Sequence, residues 1–153
     1  MIRTESDATT VDLGTKQFEL NTTLPIPTHG QYTLYFHSRS GIATHAPISK
    51  QSGCALTIDG DSRTLTLDRR ASLSSEGDTR RCIDLPEPVE DVPLQVLADT
   101  SSLEFFIADG QWTMTSRYFS TTDATCLALT RDHNDVPLPK VIDWYALKKA
   151  SIG

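Results

Sequence analysis

Basic stripes, long apolar runs and paired-cysteine motifs are all missing from these 153 residues, and each absence excludes a class of function. Lysine and arginine number 14 against 20 acidic residues, for a formal net charge of −6. Without a clustered basic face, nucleic acid is not an expected partner. No apolar run reaches membrane-spanning length, so no membrane partner is expected. The opening MIRTESDATT lacks the apolar centre of a secretory signal, and a cytoplasmic location is expected. Cys54, Cys82 and Cys126 cannot all pair within one chain, and none sits in a C-x-x-C spacing that would suggest zinc. Mostly buried thiols are the expectation for them. His29, His37, His45 and His133 are scattered, without an i, i+4 pair or an acidic cluster at metal spacing, so no metal and no cofactor are expected. Ser74-Ser75-Glu76-Gly77 offers no nucleophile elbow.

What the chain does have is β-forming sequence. Its twenty threonines are scattered among Val, Ile, Leu and aromatics, which favours strands. Met1 to Thr15 reads as a polar tail or linker stub, and 16–153 as one domain large enough to bury its own core. Alternation predicts strands over Lys16–Leu24, with Phe18, Leu20 and Thr22 opposed to Glu19 and Asn21, and over Gln31–His37. Ser38 to Gly53 is mostly loop. Cys54–Ile58 and Thr64–Asp68 form a hairpin whose turn is Asp59-Gly60-Asp61-Ser62. Arg69 to Arg81 is a polar loop, and Cys82–Leu85 a short strand stopped by Pro86 and Pro88. Thr125–Thr130 is another short strand, followed by a turn-rich loop. Val141–Lys149 is compatible with a short helix or a final strand. Short strands at regular spacing, with no convincing helix, predict an all-β sandwich or barrel.

The stretch from Val92 to Thr121 carries the most information. An apolar strand (Leu94, Val96) leads through the corner Asp99-Thr100-Ser101-Ser102 into a hairpin. Its arms are Leu103–Ala108 and Trp112–Phe119, joined at Asp109-Gly110, a strong turn signal because glycine tolerates positive φ. Leu103, Phe105 and Ile107 fall on one face, Glu104 and Phe106 on the other. The motif D-x-S-S-L-E-x-F-x-x-D-G-x-x-x-x-T-S-R (Asp99, Ser101, Ser102, Leu103, Glu104, Phe106, Asp109, Gly110, Thr115, Ser116, Arg117) resembles the signature of the C-terminal domain of glycoside hydrolase family 32. That is the family of invertases, levanases, inulinases and sucrose-6-phosphate hydrolases. Phe18-Glu19-Leu20, Leu65-Thr66-Leu67-Asp68-Arg69 and Trp144-Tyr145-Ala146-Leu147-Lys148 agree with it, so the resemblance covers roughly Lys16 to Ile152. It implies a two-sheet antiparallel β-sandwich of the concanavalin-like jelly-roll kind, and a final strand rather than a helix.

The resemblance also implies what the chain does not do by itself. Family 32 enzymes cleave β-fructosyl linkages with retention, using two carboxylates about 5 Å apart in a five-bladed propeller that precedes the sandwich. The N-D-P-N, R-D-P and E-C motifs that carry those groups are absent here. Arg131-Asp132-His133-Asn134-Asp135-Val136-Pro137 contains R-D and N-D but neither full motif, and reads as a solvated loop. No catalytic residue is therefore assigned. Asp99, Ser101 and Ser102 are read as tying a corner through side-chain to backbone bonds, Glu104 and Arg117 as a cross-hairpin ion pair, and Asp68-Arg69 as an intradomain pair. The expected partner is the family's catalytic propeller or a second copy of the chain. The alternative is a lectin-like module binding fructose-containing saccharides, with Trp112, Tyr118 and Trp144 as leading platforms and Tyr32 and Tyr145 as further candidates. Trp112, just past a turn, is expected to be the most exposed.

Overall fold

The computed structural model describes residues 2–3, 8–38, 54–68, 80–85, 89–100, 102–117, 125–133 and 135–147. These form twelve strands and, among the described residues, no helix. In chain order they are β1 (Ile2–Arg3), β2 (Ala8–Asp12), β3 (Phe18–Pro25), β4 (Gln31–Ser38), β5 (Cys54–Asp59), β6 (Thr64–Asp68), β7 (Arg80–Asp84), β8 (Asp91–Ala98), β9 (Ser102–Ile107), β10 (Trp112–Arg117), β11 (Cys126–Arg131) and β12 (Val141–Ala146). One sheet has the order β1-β12-β3-β8-β9-β10, the other β2-β11-β4-β5-β6-β7. Every pairing is antiparallel. The result is a jelly-roll-like sandwich.

The period-2 pattern explains why the sheets face each other. Phe18, Leu20 and Leu24 of β3, and Val92, Leu94, Val96 and Ala98 of β8, are buried from one side. Tyr32, Leu34, Phe36, Leu56, Ile58, Leu65 and Leu67 are buried from the other. The two layers meet at Phe36 and Phe105, whose rings stand edge to face with centroids 5.4 Å apart, a favoured aromatic geometry. Tyr32 is wholly buried, and its hydroxyl donates to the Pro25 carbonyl at 2.7 Å. That bond satisfies the one polar atom the ring carries inward.

One expectation changes. The opening segment read as a tail supplies an edge strand to each sheet: β1 pairs with β12, and β2 pairs with β11 from Cys126↔Asp12 to Thr130↔Ala8. Edge strands need only one partner and little apolar sequence, so the polar composition of Met1 to Thr15 concealed them. The final segment is the strand that the resemblance implies, with β12 pairing β3 from Ile142↔Thr22 to Ala146↔Phe18.

Candidate functional site

Cross-strand register assembles the outer face of the first sheet from residues distant in sequence. Asp143 of β12 lies opposite Asn21 of β3, Asn21 opposite Gln95 of β8, Gln95 opposite Phe106 of β9, and Phe106 opposite Thr113 of β10. The next row in the same sheet is Tyr145, Glu19, Leu97, Glu104 and Thr115. In each strand these residues alternate with buried apolar ones, so they face away from the core.

The two rows are joined by hydrogen bonds centred on Glu19. Tyr145 donates its hydroxyl to Glu19 Oε2, and Asn21 Nδ2 donates to the same oxygen at 2.9 Å. These bonds, Tyr145 foremost, hold the Glu19 carboxyl below its usual range, while the carboxylate in turn pushes the Tyr145 phenol up. Grooves run along this face. One of about 580 Å³ is bounded by Asn21, Asp91, Leu138, Lys140, Val141 and Asp143. A second of about 460 Å³ lies between Asn21, Pro93, Gln95, Phe106, Asp109 and Gly110. The third, about 310 Å³, is lined by Gln17, Leu97, Asp99, Ser102, Glu104 and Leu147.

The sequence motif thus reaches this face, but its members have local work. Asp99 Oδ1 accepts from the Thr100 amide at 2.7 Å and from Gln17 Nε2 at 3.0 Å. The Asp99 amide donates to the Ser102 carbonyl at 2.8 Å, closing the corner. These donors, Gln17 foremost, lower the Asp99 carboxyl. Asp109 and Gly110 belong to a turn in which Ala108, Asp109 and Gly110 all have positive φ (54, 57 and 88°). Glu104 stands opposite Thr115 and Arg117 opposite Ser102, so the backbone register makes Glu104 and Arg117 diagonal neighbours. Asp68 is buried at the end of β6. Ser101, Arg69 and Tyr118, and the Ser74–Gly77 stretch, lie outside the described residues.

The tryptophans differ from expectation. Trp112 lies opposite Ile107, and Trp144 opposite Leu20; both are partly buried and packed against the core. Tyr32 is inside the core. Of the five candidate aromatic platforms, Tyr145 is the described one that is open, 52% exposed, with Val141 and Leu147 nearby at 38% and 41%. Phe106, half-buried in the second groove, was not among the candidates. Its signal was present in the alternation Leu103/Phe105/Ile107 against Glu104/Phe106, but its neighbours Gln95 and Asn21 were set by register between strands.

The described carboxyls whose acidity is perturbed, Asp12, Glu19 and Asp99, all move down. A glycosidase acid needs the opposite shift. No group of three or more His, Cys, Asp or Glu residues gathers as a metal site among the described residues.

A family model described as "Glycosyl hydrolases family 32 C terminal" matches residues 2–143. The chain is 39% identical over 121 residues to a probable sucrose-6-phosphate hydrolase of Vibrio cholerae serotype O1, a match covering 79% of this chain and 19% of that protein. The chain spans about a fifth of the length of the curated relatives it matches. Among solved structures, an exo-inulinase from Aspergillus awamori superimposes with a TM-score of 0.71 at 18% identity, over 93% of this chain and 27% of that one. A tetrameric galectin from the ball sponge Cinachyrella aligns over 92% of this chain and 99% of its own, with a TM-score of 0.58 and 12% identity. At these identities both likenesses are of fold.

Proposed function

Because the chain belongs to the glycosyl hydrolase family 32 C-terminal family, we propose that it is the non-catalytic β-sandwich module of a sucrose- or fructan-cleaving glycosidase. In this reading it stabilises the catalytic domain that precedes it. The observation that carries the reading is the strip of large apolar side chains left open on and just after β12: Val141, Tyr145 and Leu147. Single exposed hydrophobics are ordinary, but three along one strand and its extension offer a surface suited to a partner. β12 is flanked by β1, so a domain preceding the sandwich enters beside that strip. Hydrolysis then belongs to the partner, which supplies the carboxylate pair whose motifs this chain lacks.

The test pairs this chain with the catalytic portion of the Vibrio relative, produced without its own C-terminal region. A complex on size-exclusion chromatography and a raised melting temperature for the catalytic portion are expected. Tyr145→Asp combined with Leu147→Asp should weaken both effects. The isolated chain is expected to release no fructose from sucrose, sucrose 6-phosphate or inulin. No complex, together with release of fructose that a carboxylate substitution in this chain abolishes, would replace the scaffold reading with an enzymatic one.

A further inference from the structure

We propose that the outer face of the first sheet binds an uncharged oligosaccharide, laid across the strands along the row Asp143, Asn21, Gln95, Phe106 and Thr113. This goes beyond the docking role, whose apolar strip follows β12 and meets the row at Val141, in the wall of the 580 Å³ groove, whereas the row itself centres on β8. Four observations carry it.

First, the row has the composition that sugar recognition requires. A half-buried phenyl ring offers an apolar surface for the C–H face of a sugar ring, and it is flanked by two amides, a carboxylate and a hydroxyl within adjoining grooves. An apolar wall with a few placed polar groups is the usual make-up of a ligand site. Second, the dimensions fit a chain rather than a single ring. Five strands span ~19 Å at the ~4.8 Å separation of paired strands, the reach of several linked sugar units. The 580 and 460 Å³ grooves both have Asn21 and Thr22 in their walls, so the trough is continuous across β3.

Third, the polar groups are positioned in advance. Glu19 accepts from Asn21 Nδ2 and from the Tyr145 hydroxyl, which fixes the Asn21 amide beside Gln95 in the row. The Asn21 amide has more donor and acceptor capacity than that one bond uses, leaving atoms for hydroxyls, and Gln95 offers its own amide next to it. Pre-positioning reduces the ordering cost of binding. Fourth, the charge selects a neutral ligand. Asp91, Asp109 and Asp143 stand in the walls of these two grooves, and Lys140 is the cation among their lining residues. Glu19 and Glu104 add to the acidic side in the neighbouring row. Such a surface accepts hydroxyls and repels phosphate.

The experiment is a calorimetric titration of this chain with an inulin-type fructosyl tetrasaccharide, a levan-type tetrasaccharide and maltotetraose, with sucrose and sucrose 6-phosphate as the charge comparison. Saturable binding of at least one tetrasaccharide is expected, with sucrose 6-phosphate binding more weakly than sucrose. Phe106→Ala and Gln95→Ala should each weaken the tetrasaccharide about tenfold or more, with the melting temperature held. If Phe106→Ala unfolds the chain, Gln95→Ala and Asn21→Ala carry the test. The proposal is overturned by no saturation with any tetrasaccharide, by affinity that the folded variants leave intact, or by preference for the phosphorylated sugar. The docking assay reads a different partner, so either idea can fail without the other.

Discussion

His37 shows how one side chain ties stability to pH. It is 1% exposed, stacks edge to face on Phe18, and donates Nε2–H to the Lys16 carbonyl at 2.9 Å. Burial lowers its pKa from 6.5 to about 4, with nearby Lys16 acting in the same direction and Asp99 and the carbonyl bond against it. The folded state therefore binds fewer protons than the unfolded chain between those two values. Stability from this site is complete above about pH 6.5 and is lost as pH falls towards 4, by an amount on the order of 2–3 kcal/mol. Urea midpoints measured from pH 7 to pH 4 should fall, and His37→Asn should remove most of that slope. An unchanged slope would assign the acid sensitivity elsewhere. Lowered carboxyls such as Glu19 and Asp99 contribute a separate loss at more acidic pH, since their stabilisation disappears only when they are protonated. A second residue-scale constraint is steric. A Cβ on Gly60 would lie 2.2 Å from the Pro27 carbonyl oxygen, a backbone atom that cannot swing aside. Gly60→Ala is expected to cost about 1–3 kcal/mol in denaturant unfolding.

At the scale of the element, the β9–β10 hairpin shows what local sequence specifies and what it does not. Asp109-Gly110 marks the reversal, yet the loop is one residue wider on each side: Ile107 pairs with Trp112, and the Gln111 amide closes on the Ala108 carbonyl. A two-residue turn at Asp109-Gly110 gives the same pairing, so the wider loop leaves the register unchanged and Trp112 stays on the Ile107 side, against the core. Nearness to the turn suggests exposure for Trp112, but the register that Asp109-Gly110 sets puts it on the inner face and leaves Phe106 and Thr113 outside. The apolar alternation that made the sandwich legible is local; the Asp143–Asn21–Gln95–Phe106 row joins residues far apart in sequence and emerges only when the strands pair. Ala108 also holds a left-handed conformation, φ 54°, which disfavours a side chain. Ala108→Gly should relieve that strain and raise stability by about 0.5–1 kcal/mol, less whatever packing the half-buried methyl supplies. A fall in the urea midpoint would mean that packing dominates.

Across the whole molecule, the chain passes repeatedly between its two sheets, and each sheet is closed at one edge by a strand from the first twelve residues. β2 covers one side of β11, Val11 packs partly against the core, and Leu13 behind it is buried. Deleting residues 1–12 would strip that cover and leave the β11 and β12 edges with unpaired backbone donors and acceptors. Exposed edges recruit strands from other molecules. The truncated chain is expected to lose about 2 kcal/mol or more of unfolding free energy and to associate as its concentration rises, by sedimentation velocity. The full chain under the same conditions supplies the reference for both readings. If the truncated form keeps the parental midpoint and remains unassociated, the opening segment is a tail in energetic terms, and the sandwich is complete without it. If it loses both, the polar beginning of the chain is part of the fold, and its job is to close the edges on either side of the core.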